Sequence, residues 1–239
     1  MDHTRKNEFS GLTVLDLSRY LPGGYATQVL ADMGAEVIKV EDTGRGDFCR
    51  HDEPVMQGES YYFTALARNK KSLSVNLKSR EGKEIFHKLA AKSDIILESF
   101  RPGVTTRLGI DYEQIKAVKP DIIYCSLSGY GQSNPNSLKA LHDINMQAQS
   151  GYLSLNGGKT SPLHLCDLAS GMVAAQAMLA ALYQRSVSGK GNYIDISMFD
   201  SFVWWNSMLD SRYYFYGGSL EAKDLEYPAV CYNIYDTKD

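Results

Sequence analysis

The stretch TVLDLSRYLPGGYATQVLADMGAEVIKV, residues 13–40, decides the fold class. Thr13–Leu17 is a short apolar run typical of a buried strand, and residues 36–40 form a second such run. Between them we predict a loop over residues 18–24 and a helix over residues 25–33. This order describes a βαβ unit, in which the two strands are parallel and joined by a right-handed crossover.

Apolar runs and helical segments keep alternating along the rest of the chain. Ser79 and Asp111 stand where helix caps belong, and Asp111 precedes Gln114 as in a capping box. The alternation predicts an α/β fold with an open, mostly parallel sheet, in which ligands bind beyond the carboxyl ends of the strands. Further strands are predicted over residues 73–77, 94–98, 121–126 and 193–197, a helix over 199–215, and one cleft lined by the loops 18–24, 99–103, 127–141 and 157–167.

The first strand is not followed by the glycine pattern of dinucleotide-binding folds. Pro22 is followed by Gly23 and Gly24, but the third glycine of GxGxxG is missing. Glu41, at the end of the second strand, is then better explained as a strand-end acid than as a ribose ligand. We therefore predict no NAD.

Composition narrows the class of protein further. The 239 residues are 44% hydrophobic and 22% charged, with a net charge of −3 and no dense basic cluster, so we expect no nucleic-acid partner. Four cysteines without a CxxC pair predict free thiols and no metal site. We found neither a signal peptide nor an apolar run approaching the ~20 residues that span a bilayer, which predicts a cytoplasmic protein and no membrane partner.

The residues best suited to chemistry lie between positions 142 and 183. His142 and Asp143 offer an imidazole beside an acid, and Asp167 stands where we predict the N-cap of an apolar helix. A carboxylate at a helix N-terminus is favoured in its charged form. Helix grammar alone leaves a plain cap as an alternative for Asp167, and a structural pair with Asp143 as an alternative for His142.

Taken together, these motifs resemble the family III CoA-transferase superfamily, which includes formyl-CoA and carnitine CoA-transferases and α-methylacyl-CoA racemase. The similarity runs in order along nearly the whole chain. The matching segments are LDLSRYLPGGYAT (15–27), LADMGAEVIKVE (30–41), RNKKSLSVNLKSREGKEIF (68–86), ESFRPGVTTRLGI (98–110), SLSGYGQ (126–132), HDINMQAQSGYLS (142–154), DLASGMVAAQAMLAALYQR (167–185) and SGKGNYIDISMFDS (188–201).

The resemblance implies a Rossmann-like large domain with helices on both faces of the sheet, followed by a small domain. Residues 1–200 would form an incomplete CoA-binding large domain, and residues 201–239 a linker helix and the start of a small domain that is largely absent. Family members are longer, so we expect a C-terminally truncated chain. Its expected partners are an acyl-CoA substrate and either a second copy, interlocked as in full-length members, or a separate C-terminal chain.

The resemblance also implies two chemistries for Asp167. In the transferases the matching aspartate attacks the thioester carbonyl and forms an acyl anhydride, whereas in the racemases it exchanges an α-proton together with the histidine of the HDIN motif. Because HDIN is intact at residues 142–145, we favour racemase-type exchange at a 2-methylacyl-CoA, with CoA transfer as the alternative and an inactive CoA-binding fragment as a third. Leu141 departs from the racemase pattern, which has glycine there.

For coenzyme A, the resemblance points to residues near strand ends and to scattered cations that suit phosphates. Asp42 stands where some transferases have an arginine, and Lys139 matches only with a one-residue insertion. The predicted CoA-binding residues are Tyr20, Leu21, Pro22, Val75, Lys78, Arg101, Arg107, Lys139 and Asp143, beside the predicted catalytic residues His142 and Asp167.

Overall fold

A computed structural model describes residues 8–219, 231 and 234–238, and its centre is a six-stranded sheet. Two further short strands pair as a separate antiparallel hairpin. In chain order the strands are β1 (Thr13–Leu17), β2 (Glu36–Glu41), β3 (Val55–Met56), β4 (Glu59–Ser60), β5 (Lys70–Ser74), β6 (Ile95–Glu98), β7 (Ile123–Ser128) and β8 (Asn192–Ser197), with β3 and β4 forming the hairpin.

The order of the main sheet is β5-β2-β1-β6-β7-β8, and every pairing within it is parallel. From β1 the chain adds β2 and then β5 on one side of the sheet. It then crosses back and adds β6, β7 and β8 on the other side. The strand order therefore reverses between β1 and β6, which opens a crevice at their carboxyl ends. The predicted α/β class with an open parallel sheet is confirmed.

Helices cover both faces of the sheet, as predicted. On one face α1 and α8 pack over Val14, Ile95 and Ile123, and on the other α3 and α5 pack over Leu15 and Tyr124. The helices are α1 (Tyr20–Asp32), α2 (Tyr61–Ala67), α3 (Arg80–Ala90), α4 (Val104–Leu108), α5 (Tyr112–Val118), α6 (Asp143–Gln149), α7 (Tyr152–Leu155), α8 (Leu165–Ser188), α9 (Met198–Trp205) and α10 (Ser207–Phe215), with a 3₁₀ turn at Phe48–His51.

Helix α1 corrects the predicted loop at residues 18–24. It begins at Tyr20, so the proline and both glycines of PGG lie inside its first two turns. Proline is tolerated there because the first N–H groups of a helix have no partner within it. Gly23 serves packing rather than a turn, since a Cβ at this position would lie 2.2 Å from that of Ser18.

Two other boundaries differ from the prediction. β5 starts at Lys70 rather than at residue 73, so the two lysines of the RNKKS motif lie within the strand. The predicted helix over residues 199–215 is two helices, α9 and α10, which meet at Asn206. Much of the predicted small-domain segment, residues 220–230, 232–233 and 239, lies outside the described residues.

Helix α8 is longer and more apolar than the sequence reading recognised. An 18-residue window within its 24 residues has a mean hydropathy of 1.6, which by length and composition alone would suffice to cross a membrane. In the described part of the chain, however, Ala174, Met178 and Ala181 of this helix are buried in the main core against β-strand residues and α1. The expectation that no such apolar run exists was therefore wrong.

At the amino-terminal ends of the strands, Arg185 and two aspartates hold neighbouring segments together. The backbone N–H of Thr13 donates to Asp94 Oδ2 at 2.9 Å, and Arg185 Nη2 of α8 donates to Asp94 Oδ1 at 2.8 Å. Arg185 Nη1 also lies 4.0 Å from Asp121 Oδ2. These contacts fix α8 to the segments that lead into β1, β6 and β7.

Towards the carboxyl ends of the strands, α8 approaches α1 closely at Gly171. A Cβ on Gly171 would lie 2.6 Å from the carbonyl oxygen of Pro22 and 3.2 Å from the ring of Tyr25. Only glycine allows this approach without displacement, and it brings the first turns of both helices to the carboxyl edge of the sheet.

We therefore expect Gly171→Ala to destabilise the protein by about 1–3 kcal/mol, because the added methyl group overpacks a backbone contact. The free energy of unfolding from urea denaturation measures this. Gln176→Ala, at an exposed position of the same helix, serves as control and should stay within about 0.5 kcal/mol of the parent. Equal effects of the two substitutions would contradict the close approach.

Candidate active site

A cleft of about 1060 Å³ lies beyond the carboxyl ends of the central strands. The segments after β6 and β7, the start of α1, and the first residues of α6 and α8 all contribute to its walls. This arrangement confirms that several predicted loops line one cleft, with the start of α1 in place of the predicted 18–24 loop.

Asp143, at the first position of α6, caps α8. Its Oδ1 accepts the backbone N–H of Cys166 at 2.7 Å and that of Asp167 at 3.2 Å, and its Oδ2 accepts from Gln147 Nε2. The side chain is buried. A small apolar cluster of Met146, Cys166 and neighbouring residues packs below and holds the two helices together. Asp143, predicted to bind CoA, thus has a structural contact in the site.

Asp167 lies in the first turn of α8, not at its N-cap. The helix begins at Leu165, and the capping carboxylate comes from Asp143 of another helix, which the sequence of α8 alone does not show. The Asp167 side chain is half-buried in the cleft wall. Burial, together with the negative charge of Asp143, raises the pKa of Asp167 to about 7.

His142 immediately precedes α6 and is exposed in the same cleft as Asp167. Its backbone N–H donates to Asn145 Oδ1 at 3.1 Å. The two residues that we predicted to be catalytic, 25 positions apart in the sequence, thus line one cavity. Their catalytic roles stay predictions.

A second imidazole, that of His164, lies close to Asp167 and was not predicted from the sequence to belong to the site. One ring nitrogen of His164 and one oxygen from each of Asp143 and Asp167 lie within 4.8 Å of one another. The signal was the spacing of His164 and Asp167, three residues apart at a helix start, which puts both side chains on one face.

A histidine and two aspartates at such distances are also side chains that bind divalent cations. His164, Asp143 and Asp167 are better described as an acid–base cluster, because both oxygens of Asp143 already accept hydrogen bonds from protein N–H groups. The prediction that the site holds no metal remains a prediction.

Tyr62 is another residue that sequence reasoning missed. It belongs to α2, within an aromatic-rich segment, and its ring meets the His164 ring edge-on with centroids 6.0 Å apart. Burial raises the pKa of the Tyr62 phenol, and the negative charge of Asp167 raises it further. The phenol therefore stays protonated and can donate a hydrogen bond.

Most of the predicted CoA-binding residues line this cleft. Val75 instead lines a smaller neighbouring cavity of about 110 Å³, to which Lys78 also contributes. Leu21 and Arg107 belong to neither lining. Leu21 lies half-buried in α1, and Arg107 is exposed on α4. The predicted residues in the main cleft are Tyr20, Pro22, Lys78, Arg101, Lys139, His142, Asp143 and Asp167.

Arg19, which we did not predict, lines both cavities. Its guanidinium lies 4.8 Å from the ring centroid of Phe48 and 5.7 Å from that of Phe100, and 3.7 Å from Asp42 Oδ2. The available signal was a cation directly after the first strand, at the carboxyl edge where the crevice opens. A flat cation held between two rings is well suited to a phosphate group.

A buried ion cluster fixes the chain beneath Arg19. Asp16 lies 3.5 Å from Lys39 Nζ and 3.2 Å from Lys70 Nζ, and Lys39 lies 2.8 Å from Asp47. Although burial opposes ionisation, the two lysines and nearby hydroxyls lower the pKa of Asp16. Asp47 Oδ1 accepts the N–H of Tyr20 at 3.3 Å, and Tyr20 has a positive φ of 61°. The cluster thus holds an unusual backbone conformation at the start of α1.

Glu98 occupies the end of β6, under the segment that carries Arg101. It is 1% exposed, and its Oε2 accepts the N–H of Phe100 at 2.7 Å. Burial raises the pKa of Glu98 to about 7, despite hydrogen bonds from Ser126 and Phe100, and the charge of Asp195 adds to the rise. A glutamate in this state is charged only at a cost to the folded protein.

This shift gives a pH-dependent stability. Because the pKa of Glu98 is higher in the folded than in the unfolded chain, the free energy of unfolding falls as the pH rises from about 4.5 to about 7. Glu98→Gln stays neutral, so its free energy of unfolding should match that of the parent at pH 4 and exceed it by up to ~3 kcal/mol at pH 8. Urea denaturation at the two pH values measures the difference, and the same increment at both would refute the assignment.

A doubly wound sheet, a cleft at the point where strand order reverses, and a cleft lining with four cations and an acid at a helix start define a ligand-binding α/β protein. Comparison with known proteins specifies the family. The family model for CoA-transferase family III matches residues 9–239, and the chain belongs to that family.

The chain is similar to several named enzymes of this family. It is 40% identical to the succinyl-CoA:glutarate CoA-transferases of Mus musculus and Homo sapiens over 238 residues, covering 96% of this chain and 54% of theirs. It is 39% identical to the acetyl-CoA:oxalate CoA-transferase of Acetobacter aceti over 201 residues, covering 82% and 52%. The chain thus spans about half the length of the curated relatives it matches.

Solved structures show the same fold. A CAIB/BAIF family protein from Brucella suis superposes with a TM-score of 0.86 at 32% identity, covering 90% of this chain and 59% of that one. The Mycobacterium tuberculosis protein Rv3272 superposes with a TM-score of 0.79 at 33% identity, covering 87% and 60%. The Rossmann-like architecture predicted from the resemblance is confirmed.

Proposed function

We propose that this chain contributes the CoA-binding half of an enzyme that moves coenzyme A between carboxylic acids, with Asp167 as the nucleophile. The observation that carries the proposal is the position of Asp167, half-buried in a large cleft whose other lining residues include four cations. Relatives named for transfer among succinate, glutarate and oxalate support small dicarboxylic acids as its substrates.

In the proposed reaction, an oxygen of the Asp167 carboxylate bonds to the thioester carbonyl carbon, the C–S bond breaks, and CoA leaves as the thiolate. The thiolate then attacks the Asp167 carbonyl of the anhydride and releases the first acid as its carboxylate. An acceptor carboxylate attacks the resulting Asp167 thioester and expels the thiolate. Finally, the thiolate takes the new acyl group and regenerates Asp167. Each step exchanges one leaving group, so no oxidant or reductant is needed.

Racemase-type exchange, which the HDIN motif led us to favour, is the second candidate. One observation keeps it under consideration: His142 lines the same cleft as Asp167, so an imidazole and a carboxylate face a common space. The named relatives support transfer more than exchange, since those at 39–40% identity are called CoA-transferases. We therefore place transfer first.

The test incubates the chain with succinyl-CoA and ¹³C-labelled glutarate in deuterated buffer. We expect glutaryl-CoA to form, and Asp167→Asn to lower the rate by a thousandfold or more, on the order of other nucleophile deletions. Mass spectrometry of the CoA thioesters measures the glutaryl-CoA that forms and any deuterium that is taken up. Asp200→Asn, at an exposed position in the first turn of α9, is the matched control and should keep the parent rate.

A parallel incubation replaces succinyl-CoA by a 2-methylacyl-CoA. Deuterium incorporation at its α-carbon that depends on His142, together with no CoA transfer to glutarate in the first incubation, would replace the proposal by racemase chemistry. CoA binding with neither reaction would replace it by a binding role for this half of the fold.

Arg101 gives a separate prediction about CoA binding. Arg101→Gln should weaken the affinity for CoA about fivefold to tenfold, because a cation lining the cleft loses its contact with a phosphate. Isothermal titration calorimetry at two salt concentrations measures the loss, which should shrink as salt screens the charge. Arg107→Gln, outside the cleft lining, is the control and should stay within about twofold of the parent; a reversed ranking would mean that CoA takes a different path.

A further inference from the structure

His164 precedes α8 directly and is exposed to the cleft, three residues before Asp167. Its ring nitrogen lies within 4.8 Å of a carboxylate oxygen of Asp167 and of one of Asp143. The imidazole therefore stands beside two acids on different helices. His164 itself takes no part in the steps of the proposed reaction.

The two acids are not equivalent. Asp143 accepts hydrogen bonds from two backbone N–H groups of α8 and from the amide of Gln147. In the described part of the chain no hydrogen bond is accepted by the Asp167 carboxylate, and burial and then the charge of Asp143 raise its pKa to about 7. Near neutral pH part of Asp167 is therefore protonated, and a protonated carboxyl group is a poor nucleophile.

Two titratable neighbours of Asp167 in the described part of the chain carry no positive charge. Tyr62 of α2 and Cys166 of α8 are both held neutral, since burial first and then the charge of Asp167 or Asp143 raise their pKa values. His142, at the start of α6, lines the cleft but is not among the three groups within 4.8 Å. A histidine side chain can carry a positive charge near neutral pH.

We propose that His164 is a positioning residue for Asp167: its protonated imidazole pairs with the Asp167 and Asp143 carboxylates and keeps Asp167 ionised and aimed into the cleft. The step that Asp167 then performs rests on the proposed function, whereas the ion pair itself does not. The pairing also accounts for the placement of an exposed imidazole against the ring of Tyr62.

The kinetic test follows the pH profile of kcat/KM with succinyl-CoA for the parent, His164→Gln and His164→Lys. Without the imidazole, the acid limb should move to higher pH by about one unit, so the rate at pH 6 falls about tenfold. At pH 9, where Asp167 is ionised in each protein, the parent and His164→Gln should agree within about twofold. His164→Lys restores a cation and should bring the acid limb back.

A direct test needs no activity. The chain has five histidines, so their ¹³Cε1 signals can be followed by NMR through a pH titration, with His164→Gln identifying the signal of interest. Asp167→Asn removes an adjacent anion and should lower the His164 midpoint by about half a pH unit or more. Glu113→Gln removes an exposed carboxylate from α5, on the opposite face of the sheet, and should leave the midpoint unchanged.

Equal His164 midpoints in the parent and in Asp167→Asn would overturn the pairing. A rate loss in His164→Gln by the same factor at every pH would also overturn it, because that result indicates a structural role. If the midpoints are coupled but the parent transfers no CoA, the pairing stands and the proposed function fails. If the parent transfers CoA but the His164 midpoint does not depend on Asp167, the proposed function stands and the pairing fails.

Discussion

The site depends on one contact, in which the Asp143 carboxylate accepts the backbone N–H groups of Cys166 and Asp167. This contact caps the N-terminus of α8 with a side chain from α6, and it thereby fixes the position of one helix relative to the other. It also places the Asp143 carboxylate beside Asp167, whose pKa is raised by burial first and then by Asp143. The same contact therefore holds two helices together and contributes to the raised pKa of an acid in the cleft.

A second cluster acts in the same way at the other wall. Asp16 and its lysine partners are buried under the start of α1, where burial of unpaired charges would be strongly destabilising. Because each charge has a partner, the cluster holds Tyr20 and Arg19 in place without contacting a ligand itself. One wall of the cleft is thus organised by paired charges, and the other by a capped helix.

The sequence predicted the strands, the layered sheet and the cap at Asp111, because apolar runs and capping residues are local signals. It placed His142 and Asp167 in one cleft, but only through the family resemblance. The start of α1 was missed because Pro22 reads as a loop residue. The capping role of Asp143 depends on the packing of α6 against α8, and no spacing within either helix reports that packing. The spacing of His164 and Asp167 at the start of α8 was a usable signal, but only for their sharing one face, not for their approach to Asp143.

The tie between Asp94 and Arg185 lies at the far end of the sheet from the cleft. The strands are therefore tied together at the end opposite the cleft, and the cleft is lined by segments outside that tie. Substitutions in the lining can change the shape of the cleft while the contacts at the strand starts stay as they are, which fits a family whose named members are called after different acids.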